Sequence, residues 1–288
     1  MSGKKPSTAT PEQRLQEASQ WWTTGIVDIE PGKIGIRGYP IQQLIGELSF
    51  PSMVWLMLRG DLPTPAQSAL LEAAMVAGVD HGPHAPSIAI SRMAVTCGLP
   101  VNGAMASAIN VLDDVHGGAG QQCMELLSAI SKRSGGKEPT AADVEGELEA
   151  FMAANGKIIP GFGHRFHGVD PRAVRLMQLV RDAREAGTVG GQHEKAGALI
   201  ERTLAARKGA PIPMNIDGAT AVIYSELGFA PELGRGLFIL SRSVGILAHA
   251  WEQKQQGGRI KGPMPPGIPY TYNGPAPRQL DRERPPAT

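Results

Sequence analysis

Residues 158–172 read Ile-Ile-Pro-Gly-Phe-Gly-His-Arg-Phe-His-Gly-Val-Asp-Pro-Arg, a stretch that joins a glycine turn to histidines and to the start of a helix. Pro160, Gly161 and Gly163 predict a tight turn with exposed backbone amides, because glycine lets the backbone approach a ligand closely. His164 follows at the tip of that turn. We interpret the stretch as an active-site loop.

A helix is predicted to begin directly after this turn. Asp170 is a preferred N-cap residue and Pro171 suits the first helical position, so Arg172 falls in the first helical turn. There the positive end of the helix dipole and a guanidinium group together favour a carboxylate ligand. On this stretch alone, an ordinary surface loop followed by a capped helix explains the pattern equally well.

The composition is that of a globular protein without a polyanionic partner. Of the 288 residues 42% are hydrophobic, which is enough for a core in one large domain or two smaller ones. The formal net charge of +1 argues against a nucleic-acid or membrane-surface protein. Cys97 and Cys123 form no C-x-x-C pair, so we expect reduced thiols.

No segment of the sequence predicts membrane insertion or export. The longest apolar stretch, residues 236–251, is interrupted by Arg242 and His249 and is too short for a membrane span. The first ten residues are rich in Lys, Ser and Thr and have no apolar segment behind them. We therefore expect a cytoplasmic protein.

The patterns along the chain predict an all-α protein with one small hairpin. Residues 1–20 are polar and predict a flexible N-terminus, with ordered structure from Trp21-Trp22 onward. Residues 25–28 and 33–37 flank a Pro-Gly pair and predict the hairpin. Residues 261–288 are rich in Pro and Gly and predict an extended tail. Helices are predicted from apolar spacing and capping residues at 40–48, 51–59, after Thr64-Pro65, 86–96, 103–113, after Thr140, 171–187, 192–207, 217–227 and 233–256.

Titratable residues that suit catalysis are concentrated at glycine-rich breaks between these helices. His81, His116 and His164 lie beside or near glycines, and Asp217 lies in Asn-Ile-Asp-Gly at a predicted helix start. An acid and several imidazoles at helix ends form a plausible general acid and base set. Asp217 is equally well explained as a helix N-cap, and the histidines as ordinary loop residues.

A metal site is the weaker alternative for the histidines. His84 lies three residues from His81, and His167 lies three residues from His164, a spacing that zinc sites also use. Neither pair comes with an H-E-x-x-H pattern or a nearby cysteine, so we expect no metal. The glycines of the turn also lack the third glycine and the preceding strand of a dinucleotide-binding motif, and no P-loop or nucleophile-elbow pattern occurs.

Arg242 lies in a segment that is apolar on nearly all sides. It shares a helix face with Ile239 and Ile246, and a buried arginine needs an anion. That anion is either a ligand or a core Asp or Glu. His193 and His249, in contrast, are interpreted as surface or helix-packing residues.

Six motifs occur in order along the chain: Arg37-Gly38-Tyr39-Pro40-Ile41 with Leu58-Arg59-Gly60-Asp61-Leu62-Pro63; Asp80-His81-Gly82-Pro83; Val115-His116-Gly117-Gly118-Ala119; Gly161 to Arg165; Asn215-Ile216-Asp217; and Ser241-Arg242-Ser243-Val244-Gly245, followed by His249 and Glu252-Gln253. Together they resemble the citrate synthase superfamily. The likeness is greatest to its short members, the citryl-CoA lyases, and to the C-terminal lyase module of ATP-citrate lyase. Six ordered motifs are far more specific than any one of them.

The resemblance implies three catalytic residues. Asp217 would remove a methyl proton from acetyl-CoA, and His116 would hydrogen-bond the thioester oxygen as it gains enolate charge. His164 would protonate the ketone oxygen of the acceptor during condensation, or take the hydroxyl proton during cleavage.

The resemblance also implies the binding residues. His81, Arg172 and Arg242 would hold the carboxylates of oxaloacetate or citrate. Coenzyme A would be received by the turn formed by Pro160, Gly161, Phe162 and Gly163.

Departures from the family pattern favour the lyase branch. Only a short helix separates Pro63 from Asp80, where full-length citrate synthases have a longer helical region. Arg165 and the Gly82-Pro83 pair point towards the lyases, whereas His116 keeps synthase activity open.

We therefore expect a citrate synthase-like, all-α fold with its active site in a cleft. The large helical domain would comprise residues 21–120 and 228–260, and the small CoA-binding domain residues 121–227. The favoured activity is cleavage or formation of the bond between the acetyl group of acetyl-CoA and oxaloacetate or a similar 2-oxo acid, as in citryl-CoA lyase. The alternatives are a citrate synthase, an analogue acting on another 2-oxo acid, or a non-catalytic CoA-binding subunit. We expect a homodimer or higher homo-oligomer, with the coenzyme A thioester as substrate and no permanently bound cofactor.

Overall fold

The structure, a computed structural model, describes residues 10–164 and 168–279. Arg165 and His167, named above, lie outside these ranges, as do the first residues of the N-terminal segment and the last residues of the tail. In chain order the described elements are α1 (Pro11–Ser19), β1 (Val27–Glu30), β2 (Lys33–Ile36), β3 (Tyr39–Pro40), α2 (Ile41–Leu44), α3 (Phe50–Arg59), α4 (Pro65–Gly78), α5 (Pro86–Thr96), α6 (Val101–Ile109), α7 (Ala119–Arg133), α8 (Ala141–Asn155), α9 (Pro171–Glu185), α10 (Gln192–Lys208), α11 (Ile216–Glu226) and α12 (Pro231–Gln256). The predicted all-α class is confirmed.

The predicted hairpin is confirmed and is extended by a third strand. Strands β1 and β2 pair antiparallel, and β3 adds to the free edge of β2. Arg37 lies between β2 and β3 in a left-handed conformation with φ 49°. Its Nη2 donates to the Met57 carbonyl at 2.7 Å, which ties the sheet to the end of α3.

Most predicted helices begin where their capping residues lie. Thr64 and Thr140 form complete capping boxes, and the Asp170 side chain accepts from the Arg172 N–H as expected. Helix α7 was not named by the sequence analysis, because it begins after Gly118 without a capping side chain.

Three predicted bounds were wrong. The helix predicted at 40–48 is only α2, because Ile45 is extended and Gly46 has φ 86°. The helix predicted at 103–113 lies at α6. Among the described residues a helix, α1, already lies ahead of Trp21-Trp22, where ordered structure was expected to begin, because Thr10 and Gln13 form a capping box; no residue of α1 is buried.

The chain divides into two compact units. Of the described residues, the first unit comprises 10–79, 113–164 and 168–242, and the second comprises 80–112 and 243–279. The predicted small domain, residues 121–227, falls within the first unit, and its boundaries stay a prediction.

Helix α11 is the centre of the first unit. It packs against α4, α7, α9 and α10. Seven consecutive residues, Gly218 to Tyr224, are buried. A helix that is covered on all sides belongs to the core. The N-terminus of α11, which bears Asp217, is therefore fixed by the packing of the whole unit.

The second unit is built around α5, α6 and the second half of α12. Ile88, Ala104, Ala108 and Ile246 are fully buried there. The small side chains of α6 let α5 approach closely. The described part of the tail, from 257 to 279, has no helix or strand.

Among the described helices, none combines the length and the apolar character that a membrane crossing requires.

A backbone-to-backbone contact joins the glycine turn to α11. A Cβ on Gly161 would lie 2.7 Å from the Gly218 Cα and 2.9 Å from the Cys123 sulfur. A Cβ on Gly218 would lie 2.4 Å from the Gly161 carbonyl oxygen. Only glycine fits at either position, and Gly161 also has φ 84°. The close approach that the sequence predicts is therefore made to another backbone segment.

Replacing Gly218 with alanine should destabilise the fold, because the added Cβ would collide with the Gly161 carbonyl and with the Met214 side chain. Overpacking of this kind costs about 1–3 kcal/mol, so the free energy of unfolding in urea should fall by that amount. Gly120→Ala in α7 is the matched control. Its Cβ would meet only the Asp217 carbonyl at 3.9 Å, so stability should be unchanged or rise by up to about 1 kcal/mol. Wild-type stability in Gly218→Ala would contradict the close packing.

Candidate active site

The glycine turn pairs with the segment that precedes α11. The Gly163 N–H donates to the Pro213 carbonyl at 2.8 Å, and the Asn215 N–H donates to the Gly161 carbonyl at 2.9 Å. These two bonds enclose an antiparallel bridge between Phe162 and Met214. His164 thus leaves the turn beside the N-terminus of α11.

This geometry corrects one part of the sequence analysis. The turn was expected to present exposed backbone amides, but the amide of Gly163 is bonded to Pro213 and that of Phe162 to the Ile159 carbonyl at 3.4 Å. Pro160, Gly161 and Phe162 are buried. The turn is buried because it packs on α11, and its contact with coenzyme A stays a prediction.

Asn215, and not Asp217, caps α11. The Asn215 Oδ1 accepts from the N–H groups of Asp217 at 2.9 Å and Gly218 at 3.3 Å. Its Nδ2 donates to the Gly163 carbonyl at 2.6 Å. The interpretation of Asp217 as an N-cap is therefore wrong, and the Asp217 carboxyl is not needed to start the helix.

Asp170 joins α9 to α11 as well as capping α9. Its carboxylate accepts from the backbone N–H of Arg172 and of Ile216, at 3.0 and 3.1 Å. It also accepts from the Arg172 side chain, from Nε at 3.0 Å and Nη2 at 2.8 Å. Burial alone would raise the pKa of the Asp170 carboxyl, but these donors and the Arg172 charge hold it below its ordinary value. Arg172 is thus held by Asp170 at two of its nitrogens.

Arg242 is buried, as the sequence predicts. Its Nε donates to the Gly78 carbonyl at 3.1 Å, and its guanidinium carbon lies 5.0 Å from the centre of the Phe238 ring. The stacked ring and the carbonyl fix the guanidinium in place. Its charge acts on both Asp217 and His116.

The loop that bears His116 is anchored at both ends. Asp113 forms a bridge with Gly117, and the Gln122 Nε2 donates to the Asp114 carbonyl at 3.2 Å. Arg235 of α12 forms ion pairs with the side chains of both Asp113 and Asp114. His116 itself is half-buried between these anchors.

The pKa values of two groups are shifted in directions that suit proton transfer. Burial raises the pKa of the Asp217 carboxyl above its ordinary value, and Asp170 adds to the rise, while Arg172 and Arg242 oppose it. Burial, together with the charge of Arg242, lowers the pKa of the His116 imidazole. Asp217 is therefore a stronger base than an ordinary aspartate, and His116 is a neutral hydrogen-bond donor near pH 7.

Cys123 lies against the turn but is unsuited to nucleophilic chemistry. Its side chain is fully buried. Burial and the charge of Asp217 raise the pKa of the Cys123 thiol to about 12. A thiol of this kind stays protonated and acts as a small apolar group.

Most of the predicted site residues lie in the first unit. His116, His164, Asp217, Arg172, Arg242 and the turn 160–163 all belong to it. His81 belongs to the second unit, so its assignment to the same substrate stays a prediction. Among the described residues, no group of three His, Cys, Asp or Glu side chains is placed to hold a metal ion.

Sequence reasoning missed the groups that position this site. Asn215 appeared only as part of a motif, Asp170 only as a cap, and Arg235 was not considered. The Asn-x-Asp-Gly spacing is a signal for the cap at Asn215, since Asn is a favoured N-cap. Nothing local indicates Arg235, because its partner Asp114 lies 121 residues away.

Comparison with known proteins confirms the resemblance to the citrate synthase superfamily. A family model described as the citrate synthase C-terminal domain matches residues 65–263. The citrate synthase of Acidithiobacillus ferridurans is 31% identical over 223 residues, which are 75% of this chain and 54% of that protein. The chain thus spans about half the length of the curated relatives it matches.

Solved structures agree in fold. Citryl-CoA lyase from Hydrogenobacter thermophilus is 32% identical in sequence and superposes with a TM-score of 0.80. The superposition covers 92% of this chain and 99% of that one. ATP citrate lyase from Methanothrix soehngenii is 19% identical, with a TM-score of 0.73 over 95% of this chain and 47% of that one, a likeness of fold alone. With a family model that matches more than half of its residues, the chain belongs to the citrate synthase family.

Proposed function

We propose that the protein makes or breaks the carbon–carbon bond between the acetyl group of acetyl-CoA and a dicarboxylic 2-oxo acid, with citryl-CoA cleavage as the favoured activity. The observation that carries the proposal is the Asp217 carboxyl, whose pKa is raised by burial while two arginine charges act on it. A strengthened base near fixed cations suits removal of a weakly acidic proton beside a polyanionic substrate.

In the condensation direction Asp217 takes a proton from the acetyl methyl group, and the electron pair moves to the thioester oxygen. The neutral His116 N–H donates a hydrogen bond to that oxygen and stabilises the enolate without protonating it fully. The enolate carbon then bonds to the ketone carbon of the acceptor, while His164 gives a proton to the ketone oxygen.

Cleavage of citryl-CoA is the reverse of these steps. His164 takes the hydroxyl proton, the carbon–carbon bond breaks, and Asp217 returns its proton to the enolate carbon. The products are acetyl-CoA and oxaloacetate, and no water is consumed. A citrate synthase needs one more step, hydrolysis of the citryl-CoA thioester, and this is the second candidate activity.

The acceptor carboxylates are assigned to three residues. Arg242 is fixed by the Gly78 carbonyl and by Phe238 before any ligand arrives, which suits a preorganised cation. Arg172 has one N–H of Nε and one of Nη2 bound to Asp170, so a ligand would meet the other N–H groups of its guanidinium. His81 is carried over from the family motif as a further carboxylate ligand. The coenzyme A thioester is a substrate in this scheme and no resident cofactor is required.

The 32% identity with citryl-CoA lyase over nearly the whole of both chains favours the lyase over the synthase. The curated relatives called citrate synthase are matched over about half their length. We place the reaction in tricarboxylic acid metabolism and the protein in the cytoplasm, both as proposals.

A homodimer is proposed from the surface of α12. Within the second unit Val244, Leu247 and Trp251 are all between 43% and 58% exposed and recur at i, i+3 and i+7. An apolar stripe of this length along one helix is typical of an interface. A second copy of the chain could cover it through a two-fold contact.

The reaction is tested by incubating the purified protein with citryl-CoA, and separately with acetyl-CoA and oxaloacetate. We expect acetyl-CoA from the first mixture, and free coenzyme A from the second only if the synthase activity is present. Asp217→Asn should abolish exchange of the acetyl-CoA methyl protons with deuterated water, while coenzyme A affinity stays within about twofold. The control Asp28→Asn changes an exposed carboxyl and should leave both unchanged. If the wild-type protein binds coenzyme A but turns over neither mixture, the proposal that it is an enzyme is refuted.

Asp217→Asn should also stabilise the protein near neutral pH. The folded-state pKa of Asp217 lies above its unfolded value, so the ionised carboxyl costs stability above the folded pKa, and the cost disappears below the unfolded value. The amide removes the buried charge, so Tm at pH 7 should exceed that of wild type, and the difference should shrink towards acid pH. Calorimetry at several pH values measures it, with Asp28→Asn as the surface control. A lower Tm at every pH would contradict the raised pKa.

Val244→Glu should break the proposed dimer, because a two-fold contact would bury two like charges together. We expect light scattering after gel filtration to show a mass near the 30.5 kDa of one chain, and a dimer dissociation constant raised at least about tenfold. Val76→Glu in α4, with a similarly exposed valine, is the control and should stay dimeric. A wild-type protein that is monomeric at micromolar concentration would contradict the proposal.

A further inference from the structure

The motif His249–Gln253 near the end of α12 has no role in the chemistry above, yet its polar side chains have definite partners in the second unit. The Gln253 side chain is 1% exposed, and its Nε2 donates to the Gly257 carbonyl at 2.6 Å, which closes the end of the helix. Glu252 forms an ion pair with Arg92 of α5. His249 lies between Arg92 and Asp80.

Arg92 determines which nitrogen of His249 bears the proton. The Arg92 Nη1 lies 3.1 Å from the His249 Nδ1, and its Nη2 donates to the Gln256 Oε1 at 2.7 Å. A guanidinium group can only donate, so the His249 Nδ1 accepts. The ring proton of the neutral imidazole is therefore on Nε2, which points at the Asp80 Oδ2 at 3.4 Å.

Asp80 uses the same oxygen to close a turn around His81. The Gly82 N–H donates to the Asp80 Oδ2 at 2.9 Å. This hydrogen bond closes a turn in which His81 is the middle residue. Gly82 has φ 82°, which lets the chain reverse there. The other oxygen, Oδ1, is buried and has no hydrogen bond among the described residues. The orientation of the carboxylate therefore depends on His249 together with the backbone N–H groups of His81 and Gly82.

The charge state of Asp80 agrees with this arrangement. Burial alone would raise the pKa of the Asp80 carboxyl, but the Gly82 N–H, His249 and the His81 N–H together outweigh burial and keep the pKa below its ordinary value. The group is thus an ionised acceptor near neutral pH, and hydrogen bonds to an ionised acceptor are stronger than those between neutral groups.

We propose that His249 is a positioning residue: held by Arg92, it donates from Nε2 to Asp80 and thereby fixes the turn that presents His81 to a carboxylate of the acceptor. This inference rests on the proposed function, in which His81 binds that carboxylate. His249 does not touch the substrate. Its loss leaves the chemistry of Asp217 and His116 intact and lowers the affinity for the dicarboxylate.

Two substitutions of similar size separate the donor from the bulk of the ring. His249→Gln keeps an N–H donor close to the position of Nε2, whereas His249→Leu removes the donor. The affected ligand is the acceptor acid, so the readouts are KM for oxaloacetate, KM for acetyl-CoA and kcat. Exchange of the acetyl-CoA methyl protons is measured in the same samples.

For His249→Leu we expect KM for oxaloacetate to rise about tenfold, the size of one lost hydrogen bond to a charged group. KM for acetyl-CoA and methyl proton exchange should stay within about twofold. His249→Gln should restore KM for oxaloacetate to within about threefold of wild type. If the wild-type enzyme cleaves only citryl-CoA, its KM for citryl-CoA takes the place of that for oxaloacetate.

A second measurement does not require activity. Exchange of the Gly82 amide with deuterated water, followed by mass spectrometry, should be faster in His249→Leu than in wild type and should be restored in His249→Gln. Amides in α11 should exchange at the wild-type rate in all three proteins. This pattern distinguishes a local loss of order from general unfolding.

The outcomes separate this inference from the proposed function. If the wild-type protein shows no turnover, but Gly82 exchange is faster in His249→Leu and restored in His249→Gln, the proposed function is refuted. The contact by which His249 positions the Asp80 turn would still stand. Wild-type KM values and wild-type Gly82 exchange in His249→Leu would overturn the inference. An equal rise of KM for oxaloacetate in His249→Leu and His249→Gln would also overturn it. So would a rise of KM for acetyl-CoA as large as that for oxaloacetate.

Discussion

The contact on which the rest of the molecule depends is that between two glycine backbones, Gly161 in the turn and Gly218 in α11. Neither position has room for a Cβ, so the turn and the helix approach more closely than side chains would permit. That approach lets Asn215 cap the helix and bond to the turn at once. The direction of Asp217 follows from the cap, because it is the second residue of the helix that the cap begins.

The packing around α11 keeps Asp217 and His116 in positions where burial disfavours their charged forms. Asp217 is half-buried with a raised pKa, and His116 is half-buried with a lowered one. Neither state would persist in a flexible loop, where water would solvate both groups. Burial of α11 on four sides and the anchoring of the His116 loop by Arg235 supply the rigidity. Structural residues therefore determine the acid–base properties of the residues that are proposed to be catalytic.

Local signals in the sequence were enough for most of the elements and for the identity of the family. Capping residues such as Thr64, Thr140 and Asp170 mark helix starts by direct side-chain chemistry, and the hairpin turn is equally local. Helix α7 was missed because Gly118 gives no such signal. The partners of Arg235 and His249, and the contact of Asp170 with the Ile216 N–H, were not predictable, since they depend on segments brought together by the fold. The exposed amide expected at Gly163 was wrong for the same reason, because its acceptor, the Pro213 carbonyl, lies about fifty residues further along the chain.

The pairing of Arg172 with Asp170 has an electrostatic consequence for ligand capture. Asp170, Arg172, Arg242 and an ionised Asp217 contribute −1, +1, +1 and −1, which sum to zero. The chain as a whole has a formal charge of only +1. The proposed dicarboxylate would therefore not be drawn in by a long-range field, and it would be recognised only when it reaches the fixed guanidinium groups at short range. Its rate of association should accordingly vary little with ionic strength, unlike that of enzymes that steer their substrates.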